Sequence, residues 1–201
     1  MSLRRTSSPA AWARRLPHDD ADELSWLLFH QEDVLSLAQA RRHLSSKAIR
    51  HRLATGRWRQ VHRAVLVAHN GPVSAGQLRW VAVLAAGPQA ILGGLTAAQA
   101  GGLQGFPGRP VHVLLPAACR RGSLPPGVLA HRTATLTDRD VLAVGQPRRT
   151  MPARSIVDAA QWAGTDREAR AIVAAAFQQR LVAADDLHRI VDQLPRVLVA
   201  N

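Results

Sequence analysis

Acidic residues are missing from the middle of this chain: between Val34 and Thr137 there is no Asp or Glu. The same stretch carries thirteen cations, Lys47 and twelve Arg, and it holds essentially all of the formal net charge of +12. The flanks are nearly balanced, at −2 over residues 1–33 and +1 over 138–201. Two-metal hydrolysis and glycosidase-type acid/base work both need paired carboxylates, and the middle of the chain has none to offer. A nuclease core built on an acid, a Glu and a neighbouring Lys is excluded as well, because Lys47 is the sole lysine and its nearest acid is Asp33. No enzymatic activity is therefore expected, and no cofactor or metal.

Cysteine is almost absent too. Cys119 alone forms no intramolecular disulfide, which fits a reducing cytoplasm. Beside Arg120 and Arg121 but with no nearby His, it reads as a bystander thiol. No signal peptide is predicted, since Arg4-Arg5 is followed by Pro9, Trp12, Arg14 and Arg15 rather than an apolar run. Trp80 to Gly108 is uncharged, yet it is rich in Ala and Gly and split by Gly87-Pro88, so it predicts two buried helical pieces rather than a membrane span.

What remains is a chain of 201 residues, 47% apolar, enough for one medium domain or two small ones with a real core. An acid-free basic stretch implies a polyanionic partner, and nucleic acid is the commonest soluble one. The bland alternative is the arginine bias of a GC-rich genome, which does not by itself empty so long a stretch of acids.

The predicted organisation is α+β. Residues 1–20, rich in Arg, Ser, Pro and Ala, read as a mobile basic arm. A first helix opens at Asp22-Glu23 with Leu24, Leu27 and Leu28 on one face. Ser36 with Gln39 makes a capping box for a second, Leu37 to His43. Ser45 or Ser46 caps a third that runs to Thr55, buries Ile49 and Leu53 and stops at Gly56. The period then changes to that of a hairpin turning near His62-Arg63 and ending at Asn70-Gly71-Pro72. Helix, helix, turn, helix and hairpin is the order of a winged helix-turn-helix domain, predicted over 21–72. A mixed α+β domain over 73–201 follows, with helices over Gln77–Ala86 and Thr96–Ala100, strands over Val111–Leu115 and Val128–Arg132, and three closing helices over Pro152–Ala163, Asp166–Arg180 and Asp185–Leu194. Thr165 with Glu168 is the expected capping box of the middle one.

The third helix carries the chemistry. At 100° per residue Lys47, Arg50, His51 and Ala54 lie opposite Ile49 and Leu53. Arg takes guanine bidentately, Ser46 and Lys47 near the helix start suit a base edge or a phosphate, and Ala54 suits a thymine methyl. Arg41, Arg42, Arg57, Arg59 and Arg63 flank them on the second helix and the wing, placed for phosphates. A merely solvated face predicts interspersed acids, and there are none. Elsewhere the signals are weak. His112 and His131 have no metal-ligand spacing and read as structural or surface histidines. The tryptophans are too dispersed for a base-stacking platform and read mostly as core. Arg154 and Asp158 read as an i,i+4 pair that forms a partly buried strut. Asp138 and Asp140 would point the same way on an extended strand, the one place where a metal site is conceivable.

Three pieces, Ser46-Lys47-Ala48-Ile49-Arg50-His51-Arg52-Leu53, Gly56-Arg57-Trp58-Arg59-Gln60-Val61-His62 and Pro152-Ala153-Arg154-Ser155-Ile156-Val157-Asp158, together resemble the AbiE-type antitoxins of type IV toxin–antitoxin systems, from about Glu23 to Leu194. That resemblance implies a winged helix that represses its own operon by binding repeats in promoter DNA, and a second domain that counteracts a nucleotidyltransferase-like toxin. The alternative is a DNA-targeting module of an endonuclease-like system whose catalytic domain is absent from this chain.

Overall fold

A computed structural model describes residues 16–107, 110–119 and 123–193. Most of the expected basic arm, with Trp12, lies outside the described residues, as do Arg109, Arg120, Arg121, Leu194 and Arg196.

Local capping sets the first three helices. The N–H of Ser25 donates to Asp22 Oδ1 at 2.7 Å and opens α1 (Glu23–His30). A three-residue strand, β1 (Val34–Ser36), follows. It is too short to show alternation, so the sequence does not reveal it. Ser36 ends β1 and caps α2 (Leu37–His43): the N–H of Gln39 donates to Ser36 Oγ at 3.0 Å, and the N–H of Ser36 donates to Gln39 Oε1 at 2.7 Å. After Leu44, Ser45 rather than Ser46 caps α3 (Ser46–Ala54). The chain leaves α3 through Gly56, at a φ of +69° that favours glycine. It then makes the hairpin β2 (Arg59–His62) and β3 (Val65–Val67). β3 lies between β1 and β2, antiparallel to both. Leu24, Leu35, Ala40, Ile49, Trp58 and Leu66 form the core beneath.

The next helix, α4 (Ala75–Ala86), begins two residues before the expected Gln77, because Gln77 is the reciprocal partner of the cap Ser74 and so sits inside the first turn. Its two faces pack in different directions. Trp80, Val81 and Ala85 cover Val34, Val65 and Val67 of the first sheet. Ala82, Val83 and Ala86 cover Leu92, Val111, Val113 and Leu115 of a second sheet. That sheet is β4 (Ile91–Leu92), β5 (Val111–Pro116) and β6 (Val128–Thr133), with β4 antiparallel and β6 parallel to the central β5. From Trp80 to Pro107 the uncharged stretch thus folds as the rest of α4, β4 and α5 (Gly94–Ala100), and among the described residues no helix is long and apolar enough to cross a membrane.

Three helices close the chain: α6 (Pro152–Gln161), α7 (Asp166–Gln178) and α8 (Ala184–Gln193). Two details differ from expectation. Thr165 caps α7 through the Glu168 N–H, but Glu168 Oε2 accepts from the N–H of Gly164, one residue earlier than a reciprocal box requires. Asp138 and Asp140 lie in a 3-10 turn, not on an extended strand. Ile156, Ala159, Ile172 and Ala176 bury against Ala98 and Leu103. The whole is α+β.

Candidate nucleic-acid interface

The fold turns all nine sequence-predicted positions outward: Arg41, Arg42, Ser46, Lys47, Arg50, His51, Arg57, Arg59 and Arg63 are each exposed. On α3 the division is the one that helical periodicity dictates. Ile49 is 4% exposed and packs with Trp58 and Leu66, with Leu53 beside it, while Lys47, Arg50, His51 and Ala54 face away. Arg52 is the exception among the local cations. It is half-buried with its guanidinium 5.3 Å from the Trp58 ring centroid, a cation–π contact that ties α3 to the strand beyond it.

The flanking cations are not all placed alike. Arg59 Nη2 donates to the carbonyl of Gly71 at 3.1 Å, so one side of its head is already committed to closing the hairpin. Arg41, Arg42 and Arg63 line a single groove of about 890 Å³ between α2, the hairpin turn and the end of α4. The turn is held against α2 by the Leu37 N–H, which donates to the carbonyl of Ala64 at 2.8 Å. A fourth arginine, Arg148, reaches this groove from the second half of the chain. Sequence reasoning missed it, because only the pairing of β4 with the segment around it brings it there: the N–H of Leu92 donates to the Arg148 carbonyl at 2.8 Å.

The other ionisable clusters lie away from that surface. Arg154 and Asp158 pair as expected, with Nε donating to Oδ1 at 2.9 Å, but they are buried outright at 3% and 2% exposure, and Asp140 stands 3.8 Å from the same guanidinium. Burial pushes the Asp158 carboxyl up to about 6, against the opposing pull of Arg154. Asp140 also accepts from the N–H and the hydroxyl of Thr137, each at 2.8 Å. Its carboxylate is thereby used structurally, and it shares no extended-strand face with Asp138. His112 and His131 sit on adjacent strands with ring nitrogens 2.9 Å apart, and His131 lies flat on Trp162 with centroids 3.4 Å apart. Burial lowers both histidines, His131 to about 4 with the neighbouring His112 adding to the effect. Among the described residues no three His, Cys, Asp or Glu side chains form a group able to hold a metal.

The candidate interface is therefore the exposed face of α3 with Arg41, Arg42 and Arg63 beside it on one acid-free segment; Arg148 joins those three in the groove from outside that segment, and the buried carboxylates Asp140 and Asp158 do not line it. No protein-family model matches the chain, and no curated protein matches it either.

Proposed function

We propose that residues 21–72 act as a winged helix-turn-helix that binds duplex DNA, with α3 as the recognition helix. The order α1-β1-α2-α3-β2-β3, with β3 central in the small sheet, supports this reading. The observation that carries it is the outward face of α3. Lys47, Arg50 and His51 stand exposed on a helix whose other side is anchored by Ile49, with no acid anywhere from Val34 to Thr137. Such a face reads base edges, while Arg41, Arg42, Arg57, Arg59 and Arg63 hold phosphates.

The protein acts in the cytoplasm as a repressor and not as an enzyme. Among the described residues the buried carboxylates are Asp140 and Asp158, both engaged with Arg154, and the acid-free stretch from Val34 to Thr137 offers no carboxylate pair. The resemblance to AbiE-type antitoxins extends the proposal to repression of its own operon and to a nucleotidyltransferase-like toxin as the counterpart of residues 73–201. The test is fluorescence anisotropy with labelled duplex from the region upstream of its own gene. Wild-type chain is expected to bind it at least tenfold more tightly than scrambled duplex. A Lys47→Ala/Arg50→Ala double variant that keeps this preference would refute the assignment of α3.

A further inference from the structure

The groove that gathers Arg41, Arg42, Arg63 and Arg148 has a form that phosphate contacts to a duplex do not require. Much of its lining is apolar: Leu37 of α2 and Trp80, Val83 and Leu84 of α4 line it together with the arginines. A duplex backbone is convex and wet, and gains little from a concave hydrocarbon surface. A volume of about 890 Å³ is instead that of a small-molecule pocket, which is mostly apolar, carries a few convergent polar groups and lies where two parts of a fold meet. All of these features are present. α2 and the hairpin turn supply one wall, and the end of α4 with the segment around Arg148 supplies the other.

The polar groups specify the charge of the occupant. Four arginines line the groove, and among the described residues no carboxylate does. Guanidinium forks pair bidentately with phosphate or carboxylate and also stack on flat rings. The site is built on fixed backbone, since the Leu37 N–H is bonded to Ala64 and the Leu92 N–H to the Arg148 carbonyl. We infer that this groove binds a small phosphorylated molecule with a flat apolar body, the chemistry of a nucleotide, and that its occupation opposes DNA binding. The flat body lies on the apolar lining and the phosphates take the arginines. Competition follows because Arg41, Arg42 and Arg63 serve both ligands, whereas Arg148 belongs to the groove alone. The site itself rests on the groove; only the competition rests on the DNA-binding reading above.

The experiment is isothermal titration of the full chain with ATP, with sodium tripolyphosphate and with adenosine, followed by DNA anisotropy with and without ATP. ATP is expected to bind saturably, and tripolyphosphate and adenosine each at least tenfold more weakly, because each lacks one half of the recognised chemistry. Arg148→Ala, at an exposed position, should weaken ATP at least tenfold and change duplex affinity less than threefold. Ala38→Glu, also exposed and lining the groove, should abolish ATP binding by placing an acid among the arginines, at a first-turn helix position where a carboxylate is tolerated. ATP at about ten times its wild-type Kd should lower duplex affinity at least fivefold in wild type and no more than about twofold in Arg148→Ala. Tripolyphosphate binding as tightly as ATP, no ATP binding, or an Arg148→Ala variant that loses duplex and keeps ATP would each overturn the inference. ATP binding by a chain that ignores duplex DNA would overturn the DNA-binding reading and leave the pocket standing.

Discussion

At the scale of single residues, position in the fold separates roles that the sequence lists side by side. Arg50 and Arg57 are both exposed cations of the basic segment, but Arg50 stands on the outward face of α3 and Arg57 follows the helix at the entrance to the hairpin. Arg50→Ala is expected to cost about 1–3 kcal/mol on the preferred sequence and to relax preference, whereas Arg57→Ala weakens all duplexes alike. Parallel titrations of upstream and scrambled duplex measure the difference, and equal losses for both variants on both duplexes would put the wrong helix in the groove of the DNA. The buried ion cluster supports a stability prediction. Arg154→Met leaves Asp140 and Asp158 without their counter-charge and should cost about 3–5 kcal/mol in urea unfolding. Its pH dependence has a definite sign. The Asp158 carboxyl rises from 3.8 to about 6 on folding, so its stabilising contribution is complete below 3.8 and disappears as pH rises through about 6. His112 and His131 act oppositely: their folded values are lowered from 6.5, so they favour the fold above 6.5 and cease to do so as pH falls, His131 through about 4. Asp158→Asn removes the opposing contribution, and unfolding free energy should then climb more steeply between about pH 4 and pH 6 than in wild type. Parallel curves for the two proteins would contradict this.

At the scale of elements, the sequence is legible wherever the cause is local. Asp22, Ser36, Ser45 and Thr165 cap α1, α2, α3 and α7, and each is visible as a polar residue ahead of a helical period. Ser36→Ala should therefore cost about 1 kcal/mol, read from the urea midpoint, and an unchanged midpoint would show that β1 and not the cap fixes the start of α2. Elements whose cause is distant are not legible. β1 and β4 are three and two residues long and exist because β3 and β5 lie beside them. The turn holding Asp138 and Asp140 is bent by the two hydrogen bonds that Thr137 donates to the Asp140 carboxylate and by the pull of Arg154, neither of which follows from alternation along the chain. The tight passage at Gly93-Gly94 is equally hidden. Gly94 has φ +51° and a Cβ there would lie 2.5 Å from the Trp162 ring, so the glycine answers a side chain far along the sequence. Gly94→Ala should cost about 1–3 kcal/mol and disturb the near-ultraviolet dichroism of Trp162. The candidate site divides in the same way: the α3 face is readable from spacing, and Arg148 is not.

At the scale of the whole molecule, α4 joins the two halves, with Trp80, Val81 and Ala85 on the first sheet and Ala82, Val83 and Ala86 on the second. A fragment from Ser74 to Asn201 keeps α4 but strips its Trp80 face. It should melt lower than the full chain and bind a hydrophobic dye, whereas a fragment as stable as the parent would make the halves independent. Charge is distributed on the same scale. The excess of cations lies between the nearly neutral ends, and it is concentrated in the eight cations from Arg41 to Arg63, of which Arg52 is half-buried over the Trp58 ring. The most direct test of DNA binding through that surface is the dependence of duplex affinity on salt, because released counterions report how many phosphates are neutralised. With roughly five to seven phosphates held, log affinity against log salt concentration should fall with a slope of about −5 to −6. A slope near −1 would mean that the basic face does not lie on the duplex, and would contradict the account.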